Sequence, residues 1–582
     1  MPEKKRQRIL LRIGKYMFRY KWLLLLALIM TFMSNSLALM GPTLSGKAID
    51  AISAGFNGGV DFPLVLHYAG LMLLFYVASS IFTYLLNVLM ITVSRKVIYS
   101  IRQDVFNKLM RLPIKYFDNT DTGDIISRIS YDCDTLNTSL STDLVQILAS
   151  SITIIGSFFM MINISPKLVL VFTITIPMSI LLTRFITGKT RPLFRLRSKK
   201  LGELNGFVEE MITGQKTLKA YIQEESVVEN LDKINDEVVD AYYRAEYYSS
   251  MTGASISFIN NFSLTMISVF GAFIYMSGGM TIGNISSFML YSRKFSGPIN
   301  EIASIYGELQ SALAAAERVF NLLDEDEEKV DLPNAETLSH VEGDLEIKNV
   351  DFSYYKNKPV LKDFNLHAEK GSLIAIVGPT GAGKTTLINM LMRFYDIDDG
   401  TILLDGRDLF DIKRASLRLS YSMVLQDTWV FYGTIYDNIA YGKQGASREE
   451  VIEAAKAVKM HNYIMRLPNG YDTILTDDGA NLSKGQMQLL TIARVMLMDS
   501  HMLILDEATS NVDTRTEMRI QLAMRELMKN KTCFVVAHRL STIKNADKIL
   551  MVDDGNVVES GTHDSLMKKN GFYRRLYEAQ FN

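Results

Sequence analysis

Cysteine is almost missing from this chain. Cys133 and Cys533 are its only two, too few and too far apart for a disulfide framework or a zinc cluster, and both thiols read as bystanders. An excess of charge of either sign is missing too: 62 lysines and arginines face 63 aspartates and glutamates, for a net charge of -1. A basic nucleic-acid binder is therefore not indicated, and no nucleic-acid partner is expected. What the chain has in quantity is apolar surface. With 582 residues, 48% of them hydrophobic, and a mean hydropathy of +0.10, it is expected to hold two or more domains, at least one unusually apolar.

The apolar residues are unevenly placed. Nearly all long apolar runs precede residue 310, whereas short strands, Gly-rich turns and charged helices alternate after residue 345, as in an α/β domain. The first run, WLLLLALIMTFMSNSLALMGP from Trp22, follows KKRQR as a signal peptide would. Its length of about 20 residues and its lack of a small-residue cleavage site favour a membrane helix. Further spans are read at Leu64 to Val93, Asp143 to Ile164, Leu168 to Ile186, Ser255 to Ser277 and Ile282 to Ile305, six in all. Connections after the first, third and fifth spans are short, and those after the second and fourth are long and basic, with Arg95, Lys96, Arg102, Lys189, Arg191 and Arg195 among their residues. The positive-inside bias then puts the N-terminus, both long loops and the C-terminal domain in the cytoplasm of a multi-pass cell-membrane protein. Apolar and charged residues alternate at helical spacing in those loops, which predicts continuations of the spans.

The sixth span is less apolar than a lipid-facing helix, with Ser292, Arg293, Lys294, Ser296, Asn300 and Glu301 in its second half. An ionisable side chain there must face water or protein. Two readings stay open: Arg293 and Lys294 snorkel to the cytoplasmic interface, or they line a water-filled substrate pathway with Asn260 and Asn261 of the fifth span. Those asparagines are equally compatible with interhelical hydrogen bonding, and Pro177 in the fourth span with a kink.

A charged bridge, LLDEDEEKVDLPNAE, reads as a linker. It divides the chain into a membrane domain over 1–320, a linker over 321–344 and a third region over 345–582. In that region SLIAIVG runs into GPTGAGKTT, with helical LINMLMRFY behind it. Gly378, Gly383, Lys384 and Thr385 hold the spacing of a P-loop in the strand, loop and helix context that the motif requires. Across Gly378, Pro379, Thr380, Gly381, Ala382 and Gly383 the glycines let the backbone turn its amides toward phosphate. The helix adds its positive N-terminus, Lys384 meets the β/γ-phosphates, Thr385 offers a hydroxyl to magnesium, and Thr386 completes the motif. ATP and Mg2+ are the expected cofactors, and 345–582 becomes a nucleotide-binding domain.

A second apolar strand, HMLILDEATS, ends in Asp506 and Glu507. Ligands collect at the C-terminal edge of α/β sheets, so Asp506 is placed to support magnesium and Glu507 to polarise the attacking water. The plain alternative is two acids capping a strand. A third strand, TCFVVAHRLST, ends in His538. A lone histidine is usually structural, but one at this edge can reach the γ-phosphate.

Taken together these motifs resemble, over essentially the whole chain, a half-transporter of the ATP-binding cassette (ABC) exporters. The resemblance implies an α-helical membrane domain of six transmembrane helices with long cytoplasmic extensions, fused to an α/β P-loop ATPase domain. NLSKGQMQLLTIAR resembles the family's LSGGQ signature at Leu482, Ser483, Lys484, Gly485 and Gln486. By the same resemblance Tyr354 stands where an aromatic stacks on adenine, and Gln426 where a glutamine touches magnesium and links ATPase to membrane domain. Ser510, Asn511 and Asp513 fall in the loop joining the two nucleotide sites, and His538 is the switch histidine. YFDNTDTGDIISRI and EMITGQKTLKAY resemble the coupling helices that rest on the ATPases.

The function implied is ATP-driven efflux of amphiphilic or hydrophobic compounds, drugs or lipids, by alternating access. Membrane lipid and a small amphiphilic substrate are then the contacts expected besides the partner. In the family the signature faces the P-loop of a second ATPase, so a second ABC half-transporter is implied. Lys484 stands where the family has glycine. Ser483 and Gly485 keep the helix N-terminus, but a long cation replaces a residue that permits close backbone approach. One reading is a homodimer whose Lys484 points away from phosphate or adds charge to it. The favoured one is a heterodimer, in which Lys384, Asp506, Glu507 and His538 work with the partner's intact signature while Lys484 sits in a slow site. A homodimeric lipid flippase, a peptide exporter, and an ATP-gated channel or sensor component share the fold as alternatives.

Overall fold

The computed structural model describes residues 3–55, 59–355, 358–425, 428–476, 481–506, 514–536 and 543–581. They form two compact units: Met1–Met110 with Thr122–Glu325, and Arg111–Asp121 with Asp326–Asn582.

The first unit is helical. An amphipathic α1 (Glu3–Phe18) precedes α2 (Lys21–Ala54) and α3 (Phe62–Leu109). The short α4 (Ile114–Asp118) belongs to the second unit. The first then resumes with α5 (Thr122–Ile164), α6 (Pro166–Thr213), α7 (Gln215–Tyr221), α8 (Glu224–Met276) and α9 (Ile282–Leu323). Among the described residues α2, α3, α5, α6 and α8 are long and apolar enough to cross a membrane. The sixth predicted span, α9, is continuous over 42 residues, with its polar stretch inside it. At 53 residues α8 is about 80 Å long, more than twice an apolar core of about 30 Å. The charged loops are thus extensions of the spans, as their periodicity predicts.

Local rules alone would end the first span at Gly41 and Pro42, yet α2 continues through Pro42 to Ala54. Proline forfeits the bond its own N–H would have donated one turn back, and α2 is held to α9 at this point by Ser287 Oγ, which donates to the Pro42 carbonyl at 2.8 Å. Just beyond, the backbones of α2 and α9 meet: a Cβ on Gly283 would lie 2.0 Å from the Gly46 carbonyl. Asp50 then accepts from the Gly283 amide at 2.7 Å and from Thr281 Oγ1 at 2.8 Å. In α5, π-turns at Arg128–Asp132 and Ser139–Asp143 interrupt the α-helix. Such turns re-aim side chains, and Asp132, buried at the first, accepts both Nε (2.9 Å) and Nη2 (2.5 Å) of Arg318 on α9.

The second unit holds two main sheets. An antiparallel sheet has the order β2 (Lys358–Ala368), β1 (Leu345–Tyr355), β4 (Asp399–Leu404), β5 (Arg407–Asp408). The larger sheet runs β12 (Asn556–Gly561), β11 (Lys548–Asp553), β3 (Leu373–Val377), β10 (Thr532–Val536), β9 (Met502–Asp506), β6 (Tyr421–Val424). All but β12 are mutually parallel. A two-residue pair, β7 (Gly433–Thr434) with β8 (Ile474–Leu475), completes the set. Side chains alternate across a strand: Leu503, Leu505 and Val535 enter one core, while Met502, Ile504 and Phe534 enter the other. Burial on both faces explains why these strands are unbroken apolar runs.

The charged bridge is docked along part of its length. Glu328 pairs with Arg418 at 2.5 Å and Asp331 with buried Arg414 at 3.2 Å, while Arg414 also reaches Asp396 at 3.0 Å. In the same unit α4 is tied down by Tyr395, whose hydroxyl donates to Asp118 at 2.5 Å, and by Tyr355, which donates to Asn119 at 2.7 Å.

Candidate functional site

The loop after β3 is shaped by its glycines. Gly381 and Gly383 hold φ of +85° and +100°, a region that other residues enter at a cost. Gly378 is required for a different reason: a Cβ there would lie 2.1 Å from the Val552 carbonyl of β11. Gly383 caps α10 (Lys384–Leu391), whose first-turn amides have no intrahelical carbonyl to receive them. Lys384 is buried, and its Nζ donates to the Gly378 and Pro379 carbonyls at 2.8 Å each, so the loop curls around the ammonium. Burial pushes the Lys384 pKa down, and the Asp506 carboxylate opposes that shift. Thr385 is exposed beside it, while Ala382 and Thr386 are buried. Free amides, a helix N-terminus and a cation together make an anion cradle.

Tyr354 is half-buried near the same helix. Its ring packs edge-on with Phe352 (4.8 Å) and Tyr395 (4.9 Å). Its hydroxyl donates to Thr386 Oγ1 at 3.2 Å and accepts from Asn389 Nδ2 at 3.0 Å. Sequence reasoning assigned the ring and missed this anchor, for which Asn389 carried no motif signal. Asp506 ends β9 opposite Val536 of β10, and Leu505 lies opposite Val424 of β6, so these parallel strands end at one edge with β3. Gln426, Glu507, Ser510, Asn511, Asp513 and His538 lie outside the described residues.

Ser483 caps α11 (Lys484–Met496) in a reciprocal box: its Oγ accepts from the Gln486 amide at 3.3 Å, and its own amide donates to Gln486 Oε1 at 2.8 Å. Lys484 is the first helical residue and is exposed, while Leu482 and Gly485 are buried. The helical backbone at this position does not call for glycine, so lysine fits without strain.

In the membrane unit Asn260, Asn261 and Arg293 come together, lining a cavity of about 300 Å³ between α8 and α9. Lys294 is half-buried and is not part of that lining. EMITGQKTLKAY spans the end of α6 and the whole of α7, and Tyr221 at its end is exposed.

Comparisons with known proteins agree with this geometry. The family model for the ABC transporter transmembrane region matches residues 24–299, and the one described as ABC transporter matches residues 361–510. YfiC of Bacillus subtilis, an uncharacterized ABC transporter ATP-binding protein, is 41% identical over 98% of this chain and 94% of its own. A fatty acid ABC transporter ATP-binding/permease protein of Mycobacterium tuberculosis is 42% identical over 90% of this chain and 82% of its own. The solved structure of a bacterial Atm1-family ABC exporter with ATP bound aligns with a TM-score of 0.77 at 28% identity, covering 97% of this chain and 98% of that one.

Proposed function

The chain belongs to the ABC transporters, in the exporter arrangement that fuses a transmembrane region to an ATP-binding domain, and from that premise we propose that it exports amphiphilic compounds as half of a heterodimer. ABC exporters act as dimers and couple ATP hydrolysis to transport. The observation that carries its ATP-driven part is Lys384, held by P-loop carbonyls at the start of α10.

In this reading the α10 amides and Lys384 take up phosphate charge, and the Tyr354 ring receives adenine. Glu507 polarises the attacking water, and His538 holds the γ-phosphate end. Phosphoryl transfer of this kind depends on positioning and charge stabilisation, not on a covalent intermediate. Thr385, Asp506 and Gln426 would hold Mg2+, whose charge neutralises the phosphates. Their donors are all oxygens, the set that suits this hard cation. Closure of the ATPases on ATP and their reopening after hydrolysis would switch the membrane domains between inward and outward access. The ATPase and the N-terminus would face the cytoplasm of a bacterial inner membrane.

An amphiphilic cargo is supported by the mycobacterial relative named for fatty acids and by the cavity between α8 and α9. Sealed inside-out vesicles test export: ATP-dependent accumulation of a labelled amphiphile is expected, and its absence at intact ATPase activity would favour a channel or sensor. The heterodimer is supported by Lys484 at the signature. A complex drawn from native membranes through a tag on this chain should contain a second, different polypeptide at equal stoichiometry; this chain alone at twice its mass would refute the pairing.

A further inference from the structure

The cavity between α8 and α9 is lined almost wholly by polar residues, with one cation among them. On α8, Ser257, Asn260, Asn261 and Leu264 follow the spacing of one helical face. On α9, Ser292, Arg293, Ser296 and Gly297 form the opposing stripe. At 1.5 Å per residue Arg293 stands about 16 Å along α9 from Ile282, and Asn261 about 22 Å back along α8 from Met276. Both depths fall inside an apolar core about 30 Å thick. A cation at that depth needs water or a partner. Among the described residues no carboxylate pairs with Arg293. Glu301, further along α9, accepts from Ser150 Oγ of α5 at 3.0 Å. The polar wall therefore combines one guanidinium with two amides and three hydroxyls and has no acid of its own.

Beyond that lining, the next stripe around α8 is aromatic. Phe258 and Phe262 of α8 stack at 6.4 Å, border Asn261 around the helix, and are 63% and 38% exposed. Gly297 leaves space beside Arg293, since a Cβ there would meet nothing within 4 Å. The planar fork of arginine matches carboxylate and phosphate oxygens two at a time.

We propose that this cavity binds the head of an anionic amphiphile, with its carboxylate or phosphate on Arg293 and the Asn260 and Asn261 amides, and its hydrocarbon chain along Phe258 and Phe262. The assignment rests on the export reading and narrows it to cargo with an oxyanion head.

The test is equilibrium binding to the complex as purified, in nanodiscs of neutral phosphatidylcholine and without nucleotide. The probes are a fluorescent long-chain fatty acid, its methyl ester, a lysophosphatidic acid and an alkyltrimethylammonium. The acid should bind about tenfold or more tighter than the ester, because a charge-assisted hydrogen bond is lost in the ester. Arg293→Gln should remove most of that ratio, Arg293→Lys should retain part of it, and Gly297→Leu should weaken acid and ester alike by filling the space. The relative affinities of fatty acid and lysophosphatidic acid decide between the two heads. Equal binding of acid and ester, preference for the ammonium probe, or an acid-to-ester ratio unchanged in Arg293→Gln would overturn the proposal. Arg293-dependent acid binding without ATP-driven accumulation in sealed vesicles would instead refute export and leave the pocket assignment standing.

Discussion

Lys384 of the ATPase unit and Arg293 of the membrane unit are both cations beside hydrogen-bond donors, but their surroundings arise in opposite ways. At Lys384 the donors are backbone amides, aimed by glycines at positive φ within one short stretch of chain. At Arg293 they are side chains on two regular helices, and they meet only because the polar stripes of α8 and α9 are in phase. A backbone cradle suits a polyanion that every turnover must grip in the same way. A side-chain cradle can change its ligand by substitution without disturbing the fold, which suits a cargo site.

The largest effects should fall on the backbone-built site. Lys384→Ala and Glu507→Gln are each expected to lower steady-state phosphate release by about two to three orders of magnitude; activity within a few-fold of wild type would place hydrolysis elsewhere. A matched pair of glycine substitutions separates the sites next. Gly378→Ala drives a methyl into the Val552 carbonyl and should destabilise the ATPase unit by about 1–3 kcal/mol in a denaturant melt. Gly297→Ala, in open space on α9, should be neutral or stabilising by up to about 1 kcal/mol.

Helix phase is tested by moving an amide. Asn261→Ala should weaken fatty-acid binding by a few-fold, and adding Leu264→Asn, one turn away on the same face, should restore part of it. Recovery from an asparagine at Met266 instead, on the opposite side of α8 from that lining, would show that the face is wrongly assigned. The smallest change is expected from Lys484→Gly, which should alter ATP hydrolysis by less than about threefold, because in the proposed heterodimer Lys484, at the first turn of α11, belongs to the slow site. A loss as large as that of Glu507→Gln would make Lys484 part of the hydrolytic site.

Much of the molecule was legible in its residues before any fold was known. Apolar runs about 20 residues long announce membrane helices because a bilayer leaves no other way to satisfy the backbone. The P-loop announces itself because its conformation depends on glycines a few positions apart, and β9 and β10 because strands buried on both faces must be apolar throughout. The cap at Ser483 follows from the same local chemistry.

Tertiary structure decided what depends on distant partners. Nothing near Pro42 says that α2 continues, since the side chain that holds α2 to α9 there comes from Ser287. The bridge reads as a solvated charge run until Arg414 and Arg418 are seen to receive it. Tyr354 is anchored through Thr386 and Asn389, which lie two strands and the P-loop further along the chain. Of the four polar residues assigned to a substrate pathway, only packing could separate Arg293 from Lys294: neighbours on a helix point about 100° apart, so one lines the cavity with Asn260 and Asn261 and the other does not.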